Sequence, residues 1–445
     1  MTYEHTAVFD HPVEDVFAWH ARPGALARLL PPWQPVRAVK ETESLRDGEA
    51  ILGLPAGLKW RARHDPAGYE DGRRFTDVLT TPGLATALGW RHTHSFSADP
   101  TGGCRVTDTV DSRVPKRLME EMFVYRTRQL HDDLEAHRLW RAPDGRPLAI
   151  AVTGSSGLVG TALTALLTTG GHKVIRLQRH GASGTDRIWR PDDPDESLLE
   201  GVDAVVHLAG ASIAGPFTSK HKASVRSSRV EPTRRLAELA ARAGVGVFVS
   251  ASAIGFYGPD RGDEQLSEDS GRGEGFLADL VADWEEAAGH AASSGVRVVT
   301  VRTGIVQSPR GGTLRLFRPL FATGLGGPLS GGQAWMSWIG IDDLVDIYLR
   351  ALVDLHLDGP VNATAPEPVR NEDFTAVLGR VLRRPTVLPV PSLGPRLLLG
   401  REGAAELALA SQRVLPSKLI ESGHRFRHPN LEPALRHVLG RTRGA

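Results

Sequence analysis

An α/β doubly wound parallel sheet with a small C-terminal lobe, preceded by a separate α+β domain, is the fold class this sequence predicts. Three observations carry it. The chain has 445 residues, too many for one ordinary core. Beyond position 147, apolar runs of strand length alternate with helical stretches, the pattern of a parallel sheet covered on both faces. A glycine-rich turn joins the first of those runs to a helix.

Composition narrows the function classes. Hydrophobic residues make up 41% and charged residues 24%, the balance of a globular chain. Lys and Arg number 53 against 52 Asp and Glu, a formal net charge of +1 that argues against nucleic-acid and membrane-surface partners. Cys104 is the only cysteine, which excludes an internal disulfide framework or a cysteine-rich metal cluster and suits a reducing compartment. Residues Met1 to Pro12 carry no basic patch followed by an apolar run. No stretch approaches the ~18–20 apolar residues that span a bilayer, so a cytoplasmic location is expected.

A polar seam rich in Pro and Gly, Arg141-Ala142-Pro143-Asp144-Gly145-Arg146, marks the first boundary. The expected division is a domain over 1–141, a second over 147–365 and a C-terminal lobe over 366–445. Before the seam, Thr2 to Phe9 alternates like an edge strand, and Pro12 to Trp19 and Gly24 to Leu30 suit short helices. Strand-like runs follow at Arg74 to Leu79, Trp90 to Phe96 and Arg105 to Val110. From about Pro115 to Leu139, Met119, Met122, Phe123, Leu130 and Leu134 recur at helical spacing on one face. His92 and His94 stand two apart on a strand and so share a face, as metal ligands do; the sequence shows no third ligand, and no metal is expected.

This order of elements resembles the START-like helix-grip fold. The resemblance implies a curved antiparallel sheet around a long C-terminal helix, enclosing a cavity for an apolar ligand lined partly by Met119, Met122 and Phe123.

After the seam, Leu148 to Val152 is a strand-length apolar run followed by Thr153-Gly154-Ser155-Ser156-Gly157-Leu158-Val159-Gly160. In such a turn Gly154 allows the tight bend, Gly157 lets the backbone approach a pyrophosphate and Gly160 lets helix and strand pack closely. The helix N-terminus adds N–H groups and positive dipole, which together make a Rossmann dinucleotide site. The helix runs to about Thr169, Gly170-Gly171 ends it, and Val174 to Leu177 is the next strand. Its end carries Arg176, Gln178, Arg179 and His180 and no acid. A carboxylate there would hold a ribose 2′-hydroxyl, whereas a guanidinium such as Arg179 suits a 2′-phosphate. NADP(H) is therefore expected over NAD(H).

The later motifs carry a more specific resemblance. Leu208-Ala209-Gly210, Arg226-Ser227-Ser228-Arg229 and Ser250-Ala251-Ser252-Ala253-Ile254-Gly255-Phe256-Tyr257-Gly258 are joined by Arg302-Thr303-Gly304-Ile305-Val306. Trp335-Met336-Ser337-Trp338, Gly359-Pro360-Val361-Asn362 and Gln412-Arg413-Val414-Leu415-Pro416 complete the set. Together they are similar to the epimerase family proteins, an atypical branch of the extended short-chain dehydrogenases/reductases within the NAD-dependent epimerase/dehydratase superfamily. The resemblance adds Leu208, Ala209, Gly210, Arg229, Ser250, Arg302, Gly304 and Val306 to the cofactor contacts. It places Ser252 and Tyr257 as catalytic hydroxyls beside the nicotinamide, and it implies that Asp342-Asp343 serve structure at a helix start.

Two departures stand out. Ordinary members of the superfamily place Tyr and Lys four apart on one helix for proton transfer. Here Leu277 and Val281 hold those places, as expected of this branch. Ala334 and Gly340 replace the branch's usual Gln and His around the tryptophan motif. An NADP(H)-dependent oxidoreductase or epimerase-like enzyme with a small-molecule substrate is expected. The alternative is a non-catalytic NADP(H)-binding sensor or scaffold.

Overall fold

A computed structural model describes residues 1–391 and 393–442. The chain forms two compact units. One comprises Met1–Leu139, Thr164–His172 and the segment beginning at His437; the other comprises Trp140–Leu163 and Lys173–Arg436.

The N-terminal elements are β1 (Thr2–Phe9), α1 (Val13–Ala21), α2 (Ala25–Leu29), β2 (Arg37–Lys40), β3 (Glu49–Gly53), β4 (Lys59–His64), β5 (Arg74–Leu79), α3 (Leu84–Leu88), β6 (Arg91–Ala98), β7 (Cys104–Asp111) and α4 (Lys116–Leu139). The strands form one antiparallel sheet in the order β1-β7-β6-β5-β4-β3-β2. Helix α4 lays its apolar stripe on this sheet. Phe123 meets Tyr3 with ring centroids 5.3 Å apart, and Leu130 and Leu134 share a core with Phe9, Phe96 and Val106. A buried ion pair ties α2 to α4: Arg28 Nε and Nη2 donate to Asp133 at 2.8 and 2.6 Å. Both partners must be present, since either charge alone would be stranded in the core.

Strands β2, β3 and β4 are absent from the sequence expectation. In β4, Lys59, Arg61 and Arg63 interleave with Trp60, Ala62 and His64. So many charges hide a period-2 pattern whose inner face is one aromatic, one alanine and one histidine.

From Trp140 onward the order is β8 (Ala149–Thr153), α5 (Leu158–Thr169), β9 (Lys173–Gln178), β10 (Arg187–Ile188), β11 (Ala204–His207), α6 (Ser219–Ser227), α7 (Val230–Ala243), β12 (Val247–Ala253), β13 (Asp260–Leu266), α8 (Phe276–Gly289), β14 (Arg297–Thr303) and β15 (Ile305–Gln307). It continues with α9 (Gly312–Ala322), β16 (Trp335–Met336), β17 (Trp338–Gly340), α10 (Ile341–Val353), β18 (Gly359–Ala363), β19 (Val369–Arg370), α11 (Asn371–Leu382), α12 (Leu393–Gly403), β20 (Ser411–Val414), α13 (Ser417–Glu421) and α14 (Leu431–Leu439). Seven strands form a parallel sheet in the order β10-β9-β8-β11-β12-β14-β18. The order turns outward in both directions from β8 and β11, which places a topological switch at their C-terminal ends, where such sheets bind ligands.

Alanines and leucines of α7 fill one face of the sheet: Leu236, Ala237, Leu239 and Ala240 pack with Val205 and Phe248. The segment after α12 returns as β20 beside β13. Gln412 Nε2 donates to Ile254 O at 2.9 Å and to Gly258 O at 2.6 Å, fastening that return. Asp342 and Asp343 lie buried in the first turn of α10. The backbone N–H of Arg427 donates to Asp343 Oδ1 at 2.6 Å, and burial pushes the Asp343 carboxyl up to about 7. Among the described residues no helix is long and apolar enough to cross a membrane.

Candidate cofactor site

The glycine turn closes as its residues demand. Gly154 has φ +66°, and a Cβ there would meet the Leu208 carbonyl carbon at 2.8 Å and Ala209 N at 2.9 Å. At Gly160 a Cβ would fall 2.2 Å from Gly154 O, so only glycine lets α5 start this close to the turn. Thr153 is wholly buried. Its Oγ1 accepts from Leu208 N at 3.0 Å and Ala209 N at 3.2 Å and lies 2.8 Å from His207 Nδ1. Thr153 thus latches the ends of β8 and β11 together and positions the turn from behind. Ser156 and Gly157 are exposed, and Leu158 and Val159 half-buried, so the N-terminus of α5 is open. Gly210 is exposed as well.

At the end of β9, Arg179 is exposed and has no ion pair among the described residues. The strand end itself carries no acid, as its sequence reads, but the fold brings one beside it. Asp186, brought back by the β10 return, accepts from Gln178 Nε2 at 2.7 Å and from the Arg176 backbone N–H at 3.3 Å. No spacing rule announces it, because the loop between β9 and β10 decides where it lands. Its carboxylate is engaged by these neighbours, with the Arg176 guanidinium 4.0 Å away.

Arg229 is 7% exposed at the start of α7. Its Nη1 donates to Val225 O at 3.2 Å and Ser228 Oγ at 3.4 Å, while its buried Nε has no partner. The guanidinium lies over the Trp284 ring at 5.1 Å, and a Cβ on Gly210 would meet its central carbon at 2.8 Å. Burial lowers its pKa to about 10, still charged at neutral pH. A buried guanidinium paired with no carboxylate among the described residues, packed against an exposed glycine of the switch point, fits an anionic group there.

The remaining expected contacts sit deeper. Ser250 is wholly buried in β12 and donates to Ala251 O at 3.0 Å. Gly304 is a packing glycine, since a Cβ would meet Ser337 O at 2.6 Å. Val306 is half-buried in β15, which pairs with β17. Arg302, expected among the cofactor contacts, forms an internal ion pair. Its Nε and Nη2 donate to Glu285 at 2.8 and 2.7 Å, and its guanidinium lies 3.6 Å from the Phe256 ring centroid.

The two expected catalytic hydroxyls converge on that same pair. Ser252, 4% exposed, donates to Glu285 Oε1 at 2.6 Å. Tyr257 is wholly buried; its hydroxyl lies 2.9 Å from Ser267 O and 2.8 Å from Asn362 Oδ1 as donor and accepts from Arg302 Nη1 at 3.0 Å. Burial raises the phenol's pKa above its ordinary value. No part of the Tyr257 ring is exposed; it packs among Ile254, Leu266 and Val414. Leu277 and Val281 are buried on α8, so the apolar replacement of the proton-transfer pair is a packing surface. The N-terminus of α8 is capped from afar by Glu406, which accepts from Phe276 N at 2.9 Å and Leu277 N at 2.7 Å. Glu285, Glu406 and Asn362 went unassigned at the sequence level; only Asn362 lies in a motif that singled it out.

The N-terminal unit holds a cavity of about 370 Å³. Leu52 and Trp60 line it from the sheet, and Leu118, Met119 and Met122 from α4. Phe123 is corrected: it packs in the core against Tyr3 and does not line the chamber.

With this geometry in view, comparison with known proteins is decisive. The sequence matches the NAD dependent epimerase/dehydratase family over residues 150–362 and a domain of unknown function, DUF1731, over residues 390–438. An epimerase family protein of Mycobacterium bovis is 43% identical over 296 residues, 66% of this chain and 98% of the relative. The chain belongs to this family. Among solved structures, a nucleoside-diphosphate sugar epimerase from Corynebacterium glutamicum matches with TM-score 0.87 and 45% identity, covering 99% of this chain and 90% of that one. A human epimerase family protein solved with NADPH matches with TM-score 0.61 and 32% identity, covering 66% of this chain and 99% of that one. The epimerase family part is thus accompanied by an N-terminal unit that the Corynebacterium protein also spans and the human one does not.

Proposed function

We propose that this epimerase family protein is an NADP(H)-dependent oxidoreductase or epimerase-like enzyme acting on a small-molecule substrate. One observation carries the reading: the open glycine turn of α5 lies at the switch point with Arg229, a buried guanidinium that no carboxylate among the described residues neutralises. Turn N–H groups and the α5 dipole suit a pyrophosphate, and Arg229 adds a fixed positive charge. Arg179, exposed and unpaired at the β9 end, suits the 2′-phosphate that distinguishes NADP(H) from NAD(H). The human relative solved with NADPH supports the same choice. Bound there, the cofactor would supply or accept a hydride. Ser252 and Tyr257 bond to the Glu285–Arg302 pair, and both hydroxyl protons are engaged by the protein itself.

We read the N-terminal unit, about residues 1–141, as a START-like helix-grip domain, ahead of a Rossmann domain over 147–365 and a lobe over 366–445. Its antiparallel sheet, long α4 and apolar chamber support that reading and a cavity ligand of apolar character. The single cysteine supports a cytoplasmic location.

Calorimetry with NADPH and NADH tests the cofactor assignment. Charged hydrogen bonds contribute about 1.5–3 kcal/mol each, so Arg179→Ala should weaken NADPH roughly ten- to a hundredfold and NADH far less. Equal affinity of the wild type for both cofactors would overturn it. Oxidation of NADPH by a panel of aldehydes, ketones, quinones and nucleotide sugars then separates an enzyme from a non-catalytic sensor or scaffold.

A further inference from the structure

Neighbouring strands of the N-terminal sheet bring titratable side chains to one inner face. Asp77 on β5 stands opposite His92 on β6, and His94, two residues on, stands opposite Asp108 on β7. Both histidines are only 4% exposed, and Asp77, His92 and His94 all line the cavity. One donor atom from each of these three lies within 4.8 Å of the others.

Asp108 orients both rings, and one ring nitrogen is left facing Asp77. Asp108 Oδ1 lies 2.9 Å from His92 Nε2, leaving His92 Nδ1 as that ring's free lone pair. Metal-binding histidines are commonly oriented by such a carboxylate on their other nitrogen. His92 Nδ1 is 3.6 Å from Asp77 Oδ2, too long for a hydrogen bond. Two ligand atoms of a tetrahedral ion bonded at ~2.0–2.1 Å stand about 3.3 Å apart, close to that separation. His94 Nδ1 is 2.7 Å from the same Asp108 oxygen, so one carboxylate gathers both imidazoles at the cavity wall. Charge argues the same way. Two carboxylates, Asp77 and Asp108, face a single guanidinium, Arg126, which lines the chamber without an ion pair among the described residues. The surplus negative charge beside an apolar chamber is costly, and a divalent cation offsets it.

We propose that Asp77, His92 and His94 bind one divalent transition-metal ion in the N-terminal cavity, with Asp108 as the positioning carboxylate. Two imidazoles and one carboxylate are a donor set that suits zinc, and three protein ligands leave a fourth position open toward the chamber. This site is independent of the cofactor assignment. The sequence shows the two histidines; the third ligand comes from the neighbouring strand.

The full-length protein, stripped with a chelator and dialysed, is titrated with zinc chloride in calorimetry and with cobalt(II) under visible absorption. One zinc per chain is expected, with cobalt bands in the visible. Asp77→Asn and His94→Gln should each weaken zinc at least a hundredfold and abolish the cobalt bands, while the exposed His131→Ala changes neither. Near-ultraviolet dichroism and melting temperature establish that each variant is folded; a variant that is not is replaced by His92→Gln. Wild-type protein that binds no zinc beyond trace, or Asp77→Asn and His94→Gln retaining one tight zinc, would sink the proposal.

Discussion

Tyr257 shows how much a single side chain's surroundings decide. As a phenol next to a serine motif it looks catalytic; folded, its hydroxyl joins Arg302, Asn362 and Ser267 O in a closed network. Removing the oxygen leaves a buried guanidinium N–H and an amide oxygen short of a partner, a loss that costs about 1–3 kcal/mol. Tyr257→Phe should therefore lower stability by that amount in urea denaturation and leave NADPH affinity within about twofold. A rate loss of a hundredfold or more in a variant of undiminished stability would restore the catalytic reading. The same logic separates Arg302 from Arg229. Both are buried arginines, but only Arg302 has a carboxylate, Glu285, at bidentate distance.

At the scale of elements, the start of α5 is the tightest junction in the site. The helix begins against its own turn, with room for no atom beyond the Cα of Gly160. Gly160→Ala should push α5 away from Gly154 and withdraw the N–H groups from a pyrophosphate. NADPH affinity should fall at least tenfold with the overall dichroism spectrum retained, since the strands that frame the turn do not depend on it. Unchanged affinity in calorimetry would mean that the turn is not the cofactor cradle. Helix α8 makes the complementary point. Its N-terminal N–H groups are met by Glu406, well over a hundred residues away, so a sequence search for a local capping residue finds only Gly275.

For the molecule as a whole, the two units carry separate cores and separate candidate ligand functions. The chamber of the N-terminal unit is lined by side chains of that unit alone. Met122→Trp, which adds an indole to the chamber, should weaken binding of a fluorescent fatty-acid analogue to the full chain at least tenfold. NADPH affinity measured on the same protein should not move. Loss of both together would show that the substitution unfolds the chain; loss of neither would mark the chamber as ordinary packing space.

The sequence by itself determined the parallel sheet, the glycine turn and the family, because these rest on local and periodic signals. Apolar runs of strand length, a fixed glycine spacing and the apolar stripe of α4 each act within a few residues. Strands β2 and β3 escaped because they are only four and five residues long, and β4 because its charged outer face masks the alternation. What the tertiary structure alone decided is the partner of each buried polar group. Asp186 reaches the β9 end through a loop, Glu406 caps α8 from a distant stretch of the chain, and Asp77 joins His92 through strand pairing. Strand register and chain return set these meetings across large sequence separations, and no local spacing rule reaches that far. Hence the glycine turn was legible in the residues, whereas the surroundings of Tyr257, Arg302 and Asp77 waited for the fold.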